Sequence, residues 1–254
     1  MRKYMIVLWP LIAQVLIAAI TLSKRPSPEL ELTVVESAGL SAFYTILVFF
    51  TALFMVYLIK RKSYRIIKGI IMLFFLYSSF ISIDEILSAM VMAPWWIELL
   101  IAAIITILSL RRDLLGNIAK SFLSASLAFL FISFFNDLFI YFLLAALSLY
   151  DTYSVFRGPL SKILMVSESR DPLEPLMVFQ GDVSMGLGDV FCYSMAAGVS
   201  LRSLGMPKGI IPIALLDLGI ITTLWALYLK KRSLPGLTIP VLFWLAGNLT
   251  LLYL

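Results

Sequence analysis

The sequence predicts an all-α polytopic membrane protein of nine transmembrane helices, with a cytoplasmic N-terminus and an external C-terminus. Three observations carry this. The 254 residues are 61% hydrophobic and only 14% charged, with a mean hydropathy of +1.00, unlike any soluble domain. Apolar windows recur that are long enough to cross a hydrocarbon core, which takes about 20 residues of helix. Lys and Arg fall almost wholly on one side of the resulting alternation.

The predicted spans are 4–22, 39–59, 66–83, 94–110, 118–135, 138–156, 186–204, 208–229 and 236–254. The first follows Met1-Arg2-Lys3 and has no small-residue cleavage site behind it, so it reads as a retained helix rather than a signal peptide. Spans five and six are separated by little more than Asn136-Asp137, a tight turn. Alternating the spans leaves only Lys24, Arg25, Arg202 and Lys208 outside, and the other 16 of the 20 basic residues inside. A missed span would scramble that split. It also accounts for the net charge of +5 as membrane topology, with no nucleic-acid partner implied. The expected location is the cell membrane, crossed many times.

The longest polar stretch is 157–185. Arg157-Gly158-Pro159 ends a helix. Residues 160–166 carry apolar side chains at helical spacing and suit a short helix on the membrane surface. Asp171-Pro172 and Glu174-Pro175 break it, and Leu176-Met177-Val178-Phe179-Gln180 is compatible with a strand.

Histidine is absent and Cys192 is the single cysteine. That excludes histidine bases, Ser-His-Asp triads, an internal disulfide and a cysteine metal cluster. No metal or cofactor is expected, and carboxylates remain as the proton-transfer groups. Most of the 15 acids, Glu98 and Asp113 among them, lie near span ends and read as solvated. Asp151, Asp189 and Asp217 lie inside spans, where an ionisable residue is by default a functional hypothesis.

Asp151 follows Tyr150 about five residues, or roughly 7–8 Å at 1.5 Å per residue, before the cytoplasmic end of span six. Asp189 lies in the first turn or so of span seven, after Gly186-Leu187-Gly188, where two glycines allow close approach of another chain. The two aspartates therefore share a depth on consecutive antiparallel helices. Neighbouring carboxylates can share a proton, one activating a water while the other donates to a carbonyl oxygen. This is the hydrolytic chemistry the chain most readily supports. Asp217, toward the outer half of span eight, reads as a structural acid facing Ser, Thr or Tyr on a neighbour. Leu234-Pro235-Gly236-Leu237 turns into span nine on the membrane face of the aspartates. The rival class is a proton-coupled transporter or ion-leak channel using these aspartates as a path. An inverted repeat would support it, and the sequence shows none.

These motifs resemble those of the presenilins and their archaeal homologues among the GxGD intramembrane aspartyl proteases. Tyr150-Asp151 is similar to the family's YD motif, and Gly186-Leu187-Gly188-Asp189, trailed by Phe191, Tyr193 and Ser194, to its GLGD motif. Arg157-Gly158-Pro159-Leu160 is similar to the stretch after YD, and Pro235-Gly236-Leu237 takes the place of the PAL motif, with Gly236 for Ala. The resemblance is strongest over 150–254, while 1–149 matches as plain spans. It implies one transmembrane domain, 1–254, in which 1–149 serves as scaffold and substrate access and 150–254 carries the motifs. It implies catalysis by Asp151 and Asp189, with Tyr150, Gly186, Leu187, Gly188, Pro235, Gly236 and Leu237 binding substrate or shaping the site. The substrates would be transmembrane proteins or peptides in the lipid bilayer. Each would unwind and add as a strand near the 157–185 loop and the 235–237 turn. The short loop points to activity without accessory subunits. The related signal peptide peptidases have the opposite orientation, and prepilin-type peptidases lack the YD-to-P-x-L arrangement.

Overall fold

A computed structural model describes residues 2–87, 94–157, 173–181, 183–230 and 234–252. A 3-10 segment, Arg2–Val7, leads into α1 (Leu8–Lys24). Then come α2 (Val34–Lys60), α3 (Tyr64–Leu87), α4 (Trp95–Ser109), α5 (Leu114–Phe134) and α6 (Asp137–Phe156). A hairpin of β1 (Met177–Gln180) and β2 (Val183–Gly186) precedes α7 (Leu187–Leu204), α8 (Ile210–Lys230) and α9 (Thr238–Leu252). The described residues thus hold nine α-helices, in keeping with the predicted count. The surface helix expected at 160–166 lies outside the described residues.

Helix starts follow local chemistry. Thr33 and Glu36 form a capping box on α2. Asp113 accepts from the Gly116 N–H at 2.9 Å, which holds its carboxyl below the usual carboxylate range. Asn136 caps α6 through the Phe139 N–H, so the predicted tight turn is a helix cap directly after α5.

Among the described residues, six helices are long and apolar enough to cross a membrane: Met5–Lys24, Val34–Lys60, Tyr64–Ile86, Leu114–Phe134, Asp137–Phe156 and Ile210–Leu229. Trp95–Ser109 and Thr238–Leu251 are apolar but shorter. The seventh helix, α7, is the least apolar because it is wrapped by protein. It packs most extensively against α5 and α1, and twelve of its 18 residues are buried. Small residues make this packing close. A Cβ added at Gly198 would lie 2.9 Å from Ile132 Cδ1 on α5 and 3.0 Å from Ile17 Cγ1 on α1. By contrast α2 buries only Ser37, Ser41 and Leu58 along 27 residues and stands at the periphery.

Polar ties fix the bundle at the end that carries Asp137. Arg202 of α7 pairs with Asp137 and donates to the carbonyls of Ile132 and Phe135. Between α6, α7 and α9, Trp244 Nε1 donates to Ser200 Oγ at 2.7 Å, and Asn248 bonds both Ser200 and Tyr141. Glu98 departs from expectation, because it is buried rather than solvated. It lies on the stripe Glu98, Ala102, Thr106 and Ser109 that α4 turns toward α3 and α5, in the first turn where the helix dipole favours a carboxylate.

Candidate active site

Three chain segments meet at the opposite end of α6 and α7: the last turns of α6, the first turn of α7, and the residues entering α9. Asp151 Oδ2 accepts from the Leu237 backbone N–H at 2.9 Å. Leu237 immediately precedes α9, and its carbonyl already accepts from the Val241 N–H. Its own N–H is one of the donors that a helix start leaves unsatisfied, and such a start favours a carboxylate.

Asp189 is the third residue of α7. Its carboxylate lies against the Cα of Gly236: a Cβ built there would be 2.6 Å from Oδ2 and 3.3 Å from Oδ1. A Cβ at Gly186 would lie 3.4 Å from the same Oδ2. Asp151 and Asp189 therefore converge on two consecutive residues, Gly236 and Leu237. Both aspartates are partly buried and Leu237 is buried.

Side chains to which sequence reasoning assigned no role at the site hold this turn. Tyr193 Oη donates to the Gly236 carbonyl at 2.7 Å. Tyr193 stands four residues after Asp189 and so on the same helix face, a signal that could have marked it. Thr152 Oγ1 and Thr238 Oγ1 are 2.6 Å apart, and both hydroxyls also reach the Ser148 carbonyl. They join α6 to the start of α9 beside Asp151 and Leu237.

The remaining predicted residues are divided. Gly186 ends β2 and caps α7, so the hairpin runs directly into the Asp189 turn. Leu187 and Gly188 line an apolar cavity of about 430 Å³ with Phe74, Leu123, Phe131, Leu176 and Phe191. It opens between α3, α5 and α7, one residue from Asp189. Pro235 sits partly buried ahead of Gly236. Tyr150 faces elsewhere, its ring edge-on to Phe49 of α2 at 6.2 Å. Asp217 stands apart from the converging aspartates. Its neighbour is Gln14 of α1, not the Ser, Thr or Tyr expected, and its Oδ1 is buried with no hydrogen bond among the described residues. Cys192 is buried and free.

No protein-family model and no curated protein matches the sequence. In fold, the chain is similar to two solved structures of a presenilin family intramembrane aspartate protease. One, in space group C222, is 17% identical; the match covers 98% of this chain and 96% of that one, with a TM-score of 0.64. The other, in space group P2, is 20% identical, with 96% of each chain covered and a TM-score of 0.62. The likeness runs the length of the molecule, so it includes the five helices before α6 as well as the motif region.

Proposed function

We propose that the protein is a GxGD-type intramembrane aspartyl endopeptidase that cleaves transmembrane substrates with Asp151 and Asp189. The observation that carries this is the convergence of the two carboxylates on Gly236 and Leu237, within a bundle whose fold is similar to presenilin family proteases.

With one proton shared by the pair, the ionised carboxylate takes a proton from a water as its oxygen attacks the peptide carbonyl carbon. The protonated carboxyl donates to the carbonyl oxygen, giving a tetrahedral diol. Collapse of the diol breaks the C–N bond, and the departing nitrogen takes a proton from the pair. The Leu237 N–H orients Asp151, and the Tyr193 hydroxyl fixes the Gly236 carbonyl beside it. The substrate approaches as an extended strand at the hairpin and the 235–237 turn. One of its apolar side chains fills the cavity at Leu187, Gly188 and Phe191. In the cell membrane the N-terminus is cytoplasmic, the site lies toward the cytoplasmic side, and the chain works without accessory subunits.

The test is cleavage of a synthetic single-span peptide by the purified protein in detergent, with and without a transition-state-mimic aspartyl inhibitor. Asp151→Asn, Asp189→Asn and the double variant are expected to fall to one common residual rate, because members of a catalytic unit are not additive. Near-normal cleavage by either folded single variant removes the proposal. Inhibitor-insensitive cleavage does so as well.

A further inference from the structure

The two edges of the β1–β2 hairpin are unlike. Its register pairs Met177 with Gly186, Val178 with Met185, Phe179 with Ser184 and Gln180 with Val183. The outward edge of β1 is occupied by side chains of α5. Asn117 Nδ2 donates to the Phe179 carbonyl at 2.7 Å, and its Oδ1 accepts from the Phe179 N–H at 3.2 Å. One amide thus stands in for a paired strand. Lys120 Nζ donates to the Met177 carbonyl at 2.7 Å and to the Arg111 carbonyl at 3.3 Å. It lies 5.7 Å from the centroid of the Phe179 ring. Asn117 and Lys120 are both almost wholly buried, at 2% and 0% exposure.

This arrangement decides which edge stays open. Phe179 spends its N–H and C=O on Asn117, so it forms a non-hydrogen-bonded pair with Ser184. In such a pair both residues direct their polar groups away from each other. The N–H and C=O of Ser184 therefore point outward from β2. Ser184 is exposed, and among the described residues it has no backbone hydrogen bond beyond the hairpin. That open edge ends at Gly186, three residues before Asp189.

We infer that Asn117 and Lys120 are positioning residues that close the β1 edge and pin the hairpin to α5. An extended substrate chain can then add only along Ser184–Gly186, in one register relative to Asp189. The inference rests on the protease reading above. It assigns a role in choosing the scissile bond to two α5 residues outside the motif region. A buried lysine whose contacts are carbonyls of the strand and of the loop before α5 suits a device that orients a strand.

The experiment compares products of a synthetic single-span peptide, by mass spectrometry, for the unaltered protein, Asn117→Ala, Asn117→Asp and Lys120→Met. Thermal melting is recorded for each. The expected result is a several-fold rise in cleavage at bonds neighbouring the main site, whatever the overall rate. A second measurement does not need turnover. In an Asp189→Asn background, Ser184→Cys is oxidised with peptides bearing a single thiol at successive positions. Capture at one peptide position is expected, spreading to several when Asn117→Asp is added. An unchanged cleavage pattern in the folded variants overturns the inference, and so does single-position capture with and without the Asn117 change. If the unaltered protein cleaves nothing, the protease reading fails first and the inference falls with it, an outcome visible before any hairpin variant is made.

Discussion

Gly236 shows how one hydrogen atom can set the position of a carboxylate. The resembled motif carries Ala at this position, and here the methyl group would lie 2.6 Å from Asp189 Oδ2. The atom in the way is the far end of a side chain, so the backbone can stay while the carboxylate turns aside. Gly236→Ala is therefore expected to keep its melting temperature and to lose cleavage rate by about 10- to 100-fold, the scale of an ångström misplacement of a reacting group. Single-turnover rates beside melting curves check this, and a fully active Gly236→Ala would show that Asp189 does not rest against residue 236 during turnover. Tyr193→Phe should act more mildly. It removes the hydroxyl that holds the Gly236 carbonyl, a bond worth about 1 kcal/mol. A small drop in melting temperature with a larger drop in rate is expected. Equal and proportionate losses would make Tyr193 a packing residue only. Asp151, Asp189 and the 235–237 turn were legible in the sequence, since each is a costly or backbone-altering residue at a matched depth. Asp217 was equally visible, but sequence could not say that Gln14 on α1 would be its neighbour. Chain separation hides such a partner.

At the scale of elements, α7 is the axis on which the site is hung. Its first turn carries Asp189, its middle is gripped by α1 and α5, and its last turn is tied by Arg202 to Asp137. Rigidity at Gly198 and Arg202 thus supports the position of Asp189 at the other end. Gly198→Leu places a branched side chain where a single Cβ already meets Ile132 and Ile17 at 2.9 and 3.0 Å. Overpacking of this kind costs about 1–3 kcal/mol. A clearly lowered melting temperature in detergent is expected, and an unchanged one would mean that α1 and α5 are not held against α7. The apolar spans were readable because a membrane helix must be apolar where lipid touches it. Protein surrounds α7, so serine, glycine and alanine replace leucine, yet its predicted span of 186–204 matches the helix Leu187–Leu204. The 176–180 segment read as strand-compatible and forms β1 at 177–180. Lys120 was counted among the basic residues of a span end, yet it is buried and donates to the Met177 carbonyl of β1. A lysine near the end of an apolar run has the same sequence signature whether it meets water or a strand.

For the whole molecule, the remaining physical question is which way the bundle sits in the membrane. The helices fix which residues share an end. Asp151, Asp189 and Gly236 gather at one end of α6 and α7, and Asp137 and Arg202 at the other. The proposed orientation rests on charge, because basic residues are retained on the cytoplasmic side. Only Lys24, Arg25, Arg202 and Lys208 of the 20 basic residues belong with the Asp137 end on the alternation of spans. Turning the bundle over would put the other 16 outside. The single native cysteine is buried, so an introduced thiol can be read without background. Ser27, in the segment between α1 and α2, is exposed, and Ser63, between α2 and α3, is partly exposed. In intact cells a membrane-impermeant maleimide is expected to label Ser27→Cys and to spare Ser63→Cys until the cells are opened. The reverse pattern would place the Asp151–Asp189 end outside. The site would then meet substrates from the external face, and the proposed orientation would be wrong while the chemistry of the pair stood.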